Sequence, residues 1–170
     1  WAFEALYRSF HPRLSRFLTN LMRRPQLIEE VLNDTMLVLW NSPDSFRGSS
    51  KLSTWIFAIA YRKALKALRR FDAPVEDRGA EWRASTDPGP DQALDGARLH
   101  GRLADALHEL SPVHRTVIDL TYFHELSYRD IAEVMGCPVD TVKTRMFHAR
   151  RHLRRILAGD GAKRPLQATE

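Results

Sequence analysis

The sequence predicts an all-α fold: an N-terminal helical bundle and a C-terminal helix-turn-helix domain, joined by a flexible acidic linker. Three observations carry this. Apolar residues recur at steps of three and four over both halves, and strand-like alternation is absent. Periodicity disappears over 72–92, where Pro, Gly, Asp and Ser dominate. The stretch Leu126 to Arg145 reads as two short helices about a tight turn, with a basic run behind it. The boundaries that follow are 1–71, a linker over 72–92, 93–158, and a tail over 159–170 that looks frayed.

The N-terminal half opens with Phe3, Leu6, Tyr7, Phe10, Leu14, Phe17, Leu18 and Leu21, one face of an amphipathic helix. Pro25 suits the start of a second helix, which needs no N–H there, and Ile28, Val31, Leu32, Thr35 and Leu39 carry it to about Trp40. Asn41-Ser42-Pro43-Asp44-Ser45 is turn chemistry. After Phe46-Arg47-Gly48, one of Ser49, Ser50 or Ser53 is expected to cap a third helix running to about Phe71. Ile56, Ile59, Ala60 and Leu68 form its expected buried line.

Beyond the linker, Asp91 is expected to cap a fourth helix with Leu94, Leu103, Leu107 and Leu110. Ser111-Pro112 then breaks the chain and opens a fifth, carrying Val113, Val117, Ile118 and Leu120. In the helix-turn-helix, Ser127 caps and Asp130 favours the positive helix end, while Tyr128, Ile131 and Val134 share one side. Gly136 stands where the backbone needs positive φ, and Pro138 starts the next helix. Val142, Met146, Ala149 and Leu153 make its buried stripe.

Charge gives the helices a partner class. Lys143 to Arg155 hold six Lys or Arg and no Asp or Glu. Thr141, Lys143, Thr144, Arg145 and His148 lie mainly off the apolar stripe, near the helix start that touches phosphates and base edges in a major groove. A second basic block is Arg62, Lys63, Lys66, Arg69 and Arg70. Between Asp72 and Asp95, seven acidic residues stand against two arginines. Within a net charge of +5, basic–acidic–basic fits two anion-binding modules joined by an anion mimic, or simply a solvated linker.

Several classes fall away. No run of eighteen apolar residues exists, so no direct membrane insertion is expected. The single Cys137 excludes an intramolecular disulfide and a multi-cysteine zinc site, which points to a reducing cytoplasm. The chain opens on Trp1 rather than Met, which leaves an upstream segment open. No phosphate loop, nucleophile–base motif or metal cluster is found. His148 and His152 lack a third ligand. No catalytic residue, metal, cofactor or small-molecule substrate is therefore expected.

A second segment, Phe46 to Arg62, combines a Gly-containing loop, hydroxyls, aromatics and a basic helix, the equipment for holding single-stranded DNA. Phe46, Trp55 and Phe57 are by type more often core residues than base platforms. The pairing of Phe46-Arg47-Gly48-Ser49-Ser50 with Ser53-Thr54-Trp55-Ile56 resembles the promoter-melting segment of bacterial sigma factors. The order of parts, with no middle domain, resembles the small extracytoplasmic-function group. Leu110-Ser111-Pro112 and Leu126 through Arg150 resemble that family's C-terminal domain. The likeness covers Phe3 to Leu157.

The resemblance implies a protein that binds core RNA polymerase and directs it to promoter DNA, under control of an anti-sigma factor. It puts Asn33, Asp34, Leu37 and Trp40 in the polymerase-binding surface. Phe46, Arg47, Gly48, Ser49, Ser50, Lys51, Ser53 and Trp55 would capture a flipped base of the minus-ten element, with Arg62, Lys63 and Lys66 steering the strand. Pro138, Asp140, Thr141, Lys143, Thr144, Arg145, His148 and Arg151 would meet the minus-thirty-five element. The chain departs from the family's pattern at Ala58 and Arg62, where Arg and Asn are common. The alternative is an ordinary helix-turn-helix regulator, which would bind paired half-sites unaided.

Overall fold

In the computed structural model, residues 2–72 and 94–159 are described, Asp72 and 94–100 by backbone alone. The acidic segment, the Asp91 cap, the Leu94 side chain and the tail beyond Gly159 lie outside the described residues. Seven α-helices and one 3-10 turn make up the described chain: α1 (Ala2–Met22), α2 (Pro25–Asn41), the turn Pro43–Ser45, α3 (Leu52–Asp72), α4 (Leu94–Glu109), α5 (Pro112–Tyr122), α6 (Tyr128–Met135) and α7 (Val139–Leu157). Among the described residues there is no strand.

The N-terminal bundle forms as its periodicity dictates. Leu14, Phe17 and Leu18 are fully buried on α1, and Val31, Leu32, Met36 and Leu39 face them from α2. Pro12 interrupts neither the helix nor its apolar face. In the tight corner before Pro25, Arg23 adopts φ 53°, and its N–H donates to the Thr19 carbonyl at 3.3 Å.

Helix α3 departs from expectation in two ways. It begins at Leu52, so none of Ser49, Ser50 or Ser53 caps it. Lys51 holds the flanking position, and its carbonyl accepts the Trp55 N–H at 3.1 Å. Nor is there one buried line: Ile56, Phe57, Ala58, Ile59, Ala60 and Tyr61 are all buried, while Leu68 is only half-buried. Six successive residues go more than once around a helix, so α3 must be covered on every side there. α1 and α2 cover part of it, and α6 from the C-terminal half covers the rest.

In the C-terminal half, Ser111 caps α5 and its hydroxyl accepts the His114 N–H. Leu110 falls outside α4 yet is buried; among the described side chains of α4, Ala106 is buried and Leu103 is exposed. Val142, Met146 and Ala149 are fully buried on α7, with Leu153 packed beside them. The two halves share one continuous core, because α1 packs on α5 as α3 packs on α6.

Candidate nucleic-acid interface

The helix-turn-helix is built from local chemistry. The Ser127 hydroxyl accepts the Asp130 N–H at 3.1 Å and donates to the Asp130 carboxylate at 2.8 Å, so cap and first turn lock each other. Burial alone would raise the Asp130 carboxyl; the Ser127 bonds and the Lys51 ammonium outweigh it and hold it below its ordinary value. Gly136 ends α6 at φ 64°, where the Cys137 N–H reaches back to the Ala132 carbonyl at 3.0 Å. Pro138 then precedes α7 in extended backbone.

With its stripe buried, α7 turns Lys143, Thr144, His148 and Arg151 outward, and Pro138 and Asp140 are exposed at its start. Lys143 pairs with Asp140 at 3.7 Å, and the Thr144 hydroxyl donates to the Asp140 carbonyl at 3.0 Å. Thr141 and Arg145 are half-buried. Arg145 Nη1 donates to Cys137 Sγ at 3.6 Å, and its charge acts on the Tyr61 phenol of α3, which burial pushes above its ordinary pKa.

One residue on this face escaped the sequence reading. Phe147 is 61% exposed, one position off the buried stripe, with its ring edge-on to His148 at 5.5 Å. The legible signal was an aromatic side chain set among basic residues on the polar side of the helix.

The loop before α3 collects most of the other nucleic-acid candidates. Gly48 takes φ 70°, and Arg47, Ser49 and Lys51 are exposed around it. Phe46 and Trp55 are half-buried, with ring centroids 5.2 Å apart at 45°. Phe57 is the core residue of the three. Ser50, Ser53 and Lys63 are half-buried; Arg62 and Lys66 are exposed on α3, and Ala58 is buried.

A third surface lies on α2. Leu37 is 55% and Trp40 62% exposed, one turn apart, beside exposed Asn33 and half-buried Asp34. The Phe3 ring stands edge-on to Trp40 at 4.9 Å, which orients the indole without covering it. Two large apolar side chains thus stand exposed on one face of α2.

Two family profiles match this architecture in order: "Sigma-70 region 2" over residues 6–73 and "Sigma-70, region 4" over 100–153. The chain is 34% identical over 161 residues to the ECF RNA polymerase sigma-E factor of Haemophilus influenzae, covering 88% of this chain and 84% of the relative. This chain belongs to the extracytoplasmic-function sigma factors. It is also 28% identical to the RNA polymerase sigma factor YlaC of Bacillus subtilis, over 89% of this chain and 90% of that one.

Among solved structures, the sigma factor matches RpoE of Bartonella quintana in complex with the anti-sigma factor NepR. The TM-score is 0.70 at 26% identity, covering 94% of this chain and 98% of that one. It matches CnrH in complex with the cytosolic domain of CnrY with TM-score 0.66 at 25% identity, covering 94% and 90%. A sigma factor binds core RNA polymerase and directs it to promoters, and the family is one of initiation factors. Among the described residues, no helix is long and apolar enough to cross a membrane, and no group of three or more His, Cys, Asp or Glu is placed to hold a metal.

Proposed function

We propose that this sigma factor grips a promoter at two points while Asn33, Asp34, Leu37 and Trp40 hold the polymerase. The observation that carries this is the sidedness of α7: Lys143, Thr144, His148 and Arg151 stand outward, opposite a fully buried Val142–Met146–Ala149 stripe. Residues 93–158 dock α7 in the major groove of the minus-thirty-five duplex. Lys143 and Arg151 meet phosphates, and Arg145, Thr144 and His148 meet base edges. Phe147, exposed beside them, meets a thymine methyl.

Residues 1–71 bind the clamp of the polymerase and open the minus-ten element. Phe46 to Ser53, with Trp55, receive an unstacked base, and Arg62, Lys63 and Lys66 track the strand. Unstacking costs a few kcal/mol, about what pocket and backbone contacts offset, so opening needs no chemical step by this chain. The chain acts in the cytoplasm as a non-enzymatic factor, without metal or cofactor, and an anti-sigma protein restrains it. The matched complex of RpoE with the anti-sigma factor NepR supports that last point.

The test is reconstitution. Core polymerase with this chain should transcribe from its own promoters, and gel shifts of those promoters should need both proteins. Tight, sequence-specific binding of paired half-sites by the chain alone would favour a dimeric regulator instead.

A further inference from the structure

A cluster of three histidines stands beside the outward side of α7. His148 and His152 lie one turn apart on that helix, with Arg145 one turn before them. His114 comes from the first turn of α5, and its ring centroid is 6.3 Å from that of His148. His148 is exposed, and His114 and His152 are half-buried. The sequence shows two of these rings at helical spacing; the packing of α5 on α7 brings the third.

Neighbouring carboxylates are engaged elsewhere. Asp119 of α5 is taken by Asn20 and His124, and Asp130 of α6 by Ser127 and Lys51. Asp140, at the start of α7, pairs with Lys143, and the Asp105 charge of α4 acts on His108. Arg102 of α4 donates to the Leu157 carbonyl, beyond His152. Among the described residues, a carboxylate pairs with His124 but with none of the three clustered histidines, and no hydrogen bond engages their ring nitrogens. The charges that act on His114 are those of His148, His152 and Arg145, each a cation or a group that becomes one.

With α7 in the minus-thirty-five duplex, the reading on which this rests, we propose that His114 and His152 form a site for one DNA backbone phosphate beside the base-reading His148, and that they take up protons as it binds. The cluster then holds a counterion that the described chain does not supply.

Its chemistry suits an anion. A neutral imidazole donates one N–H to a phosphate oxygen, and an imidazolium makes the shorter, charge-assisted bond. His114 also stands in the first turn of α5, where its main-chain N–H meets the Ser111 hydroxyl at 3.4 Å and the helix end is positive. In the free chain, burial and then the α7 cations hold the His114 pKa below its ordinary value. A phosphate a few ångströms away reverses that balance, because an opposite charge favours the protonated ring. The coupling of proton and phosphate is reciprocal. Affinity for the duplex therefore rises as pH falls through the imidazole range near 6.5.

Holoenzyme made from core polymerase and the full-length chain tests this on a minus-thirty-five duplex in EDTA. Uptake of one proton raises affinity at most about ten-fold per pH unit, so wild type should bind about ten-fold more tightly at pH 5.5 than at pH 7.5. His114→Gln and His152→Gln should each reduce that ratio to about three-fold, and the double variant to below about two-fold. The ratio is the readout because a merely structural loss weakens binding at both pH values alike. At pH 5.5 the salt slope of wild type should be steeper by about one, and its gain should be equal over single-base promoter variants, as for a phosphate contact. Far-UV circular dichroism at both pH values checks folding, and His152→Gln carries the test should His114→Gln misfold. An unchanged ratio in every folded variant would overturn the proposal, and so would a gain confined to particular base pairs. Arg145→Ala and Lys143→Ala without effect at pH 7.5 would count against the placement of α7 instead.

Discussion

The Arg115 guanidinium donates to the main-chain carbonyl of Asn20, 95 residues away, at 2.8 Å, and through its other arm to the Leu110 carbonyl at 3.0 Å. Burial, with Arg23 nearby, lowers its pKa to about 10. One planar fork thus ties α1 to the start of α5. A lysine ammonium is a compact charge on a single stem and lacks that geometry. Arg115→Lys should therefore lose one charged hydrogen bond and cost about 1.5–3 kcal/mol, read as a lower urea midpoint with unchanged slope.

Gly136 faces open space, so a methyl group there meets nothing within 4 Å. Its φ of 64° is the constraint. Gly136→Ala should destabilise the helix-turn-helix by about 1–2 kcal/mol through left-handed backbone strain alone. A thermal melt checks this. A cost near zero would mean that the turn can relax.

His114 supplies a pH dependence. Burial, then the charges of His148, His152 and Arg145, hold its pKa below the ordinary 6.5. Above 6.5 the ring is neutral in folded and unfolded chains alike. As pH falls through that value the unfolded chain takes the proton first, and stability drops until the folded ring also protonates. Between pH 7.5 and 5.5 the denaturation midpoint of wild type should fall further than that of His114→Gln. His108, also lowered, leaves a residual slope in the variant.

On α7, Arg145 and Lys143 should separate by readout. Arg145→Ala should cost about 1–3 kcal/mol and relax preference at one promoter position, as a bidentate base contact does. Lys143→Ala should weaken binding evenly across promoter variants and reduce the salt slope by about one. Binding titrations of the polymerase-bound factor over a panel of single-base variants, at two salt concentrations, distinguish them.

The Phe3 edge stands against Trp40, which is 62% exposed, so its removal opens no buried cavity. Trp40→Ala should weaken core polymerase binding by about 2 kcal/mol, as an aromatic anchor does, while the melting temperature holds. Asp34→Lys should weaken binding too. Unchanged affinity in both would remove this face from the polymerase interface.

Much of this molecule is written locally. The Ser127 cap, the left-handed Gly136, the buried stripe of α7 and its one-sided charge each depend on residues within a few turns, so periodicity and turn chemistry reveal them. The same holds for α1, α2 and the cap of α5. Helix α3 is where local reading fails. Its run of buried residues is covered by α1, α2 and α6 together, and a single expected line cannot face all three. Lys51 rather than a serine flanks its start, and the Lys51 ammonium reaches Asp130 of α6, a partner that local reading does not show.

Helix type, the caps of α5 and α6 and the basic face of α7 were thus determined by the sequence by itself, since each follows from backbone propensity and the spacing of apolar and charged groups. Only the tertiary structure decided that Asp119, Arg115 and His124 would be buried between the halves, and that Arg145 would lean toward α3. Those outcomes depend on partners up to 99 positions away. A polar side chain carries no local mark of which distant group will satisfy it; burial selects the one that can.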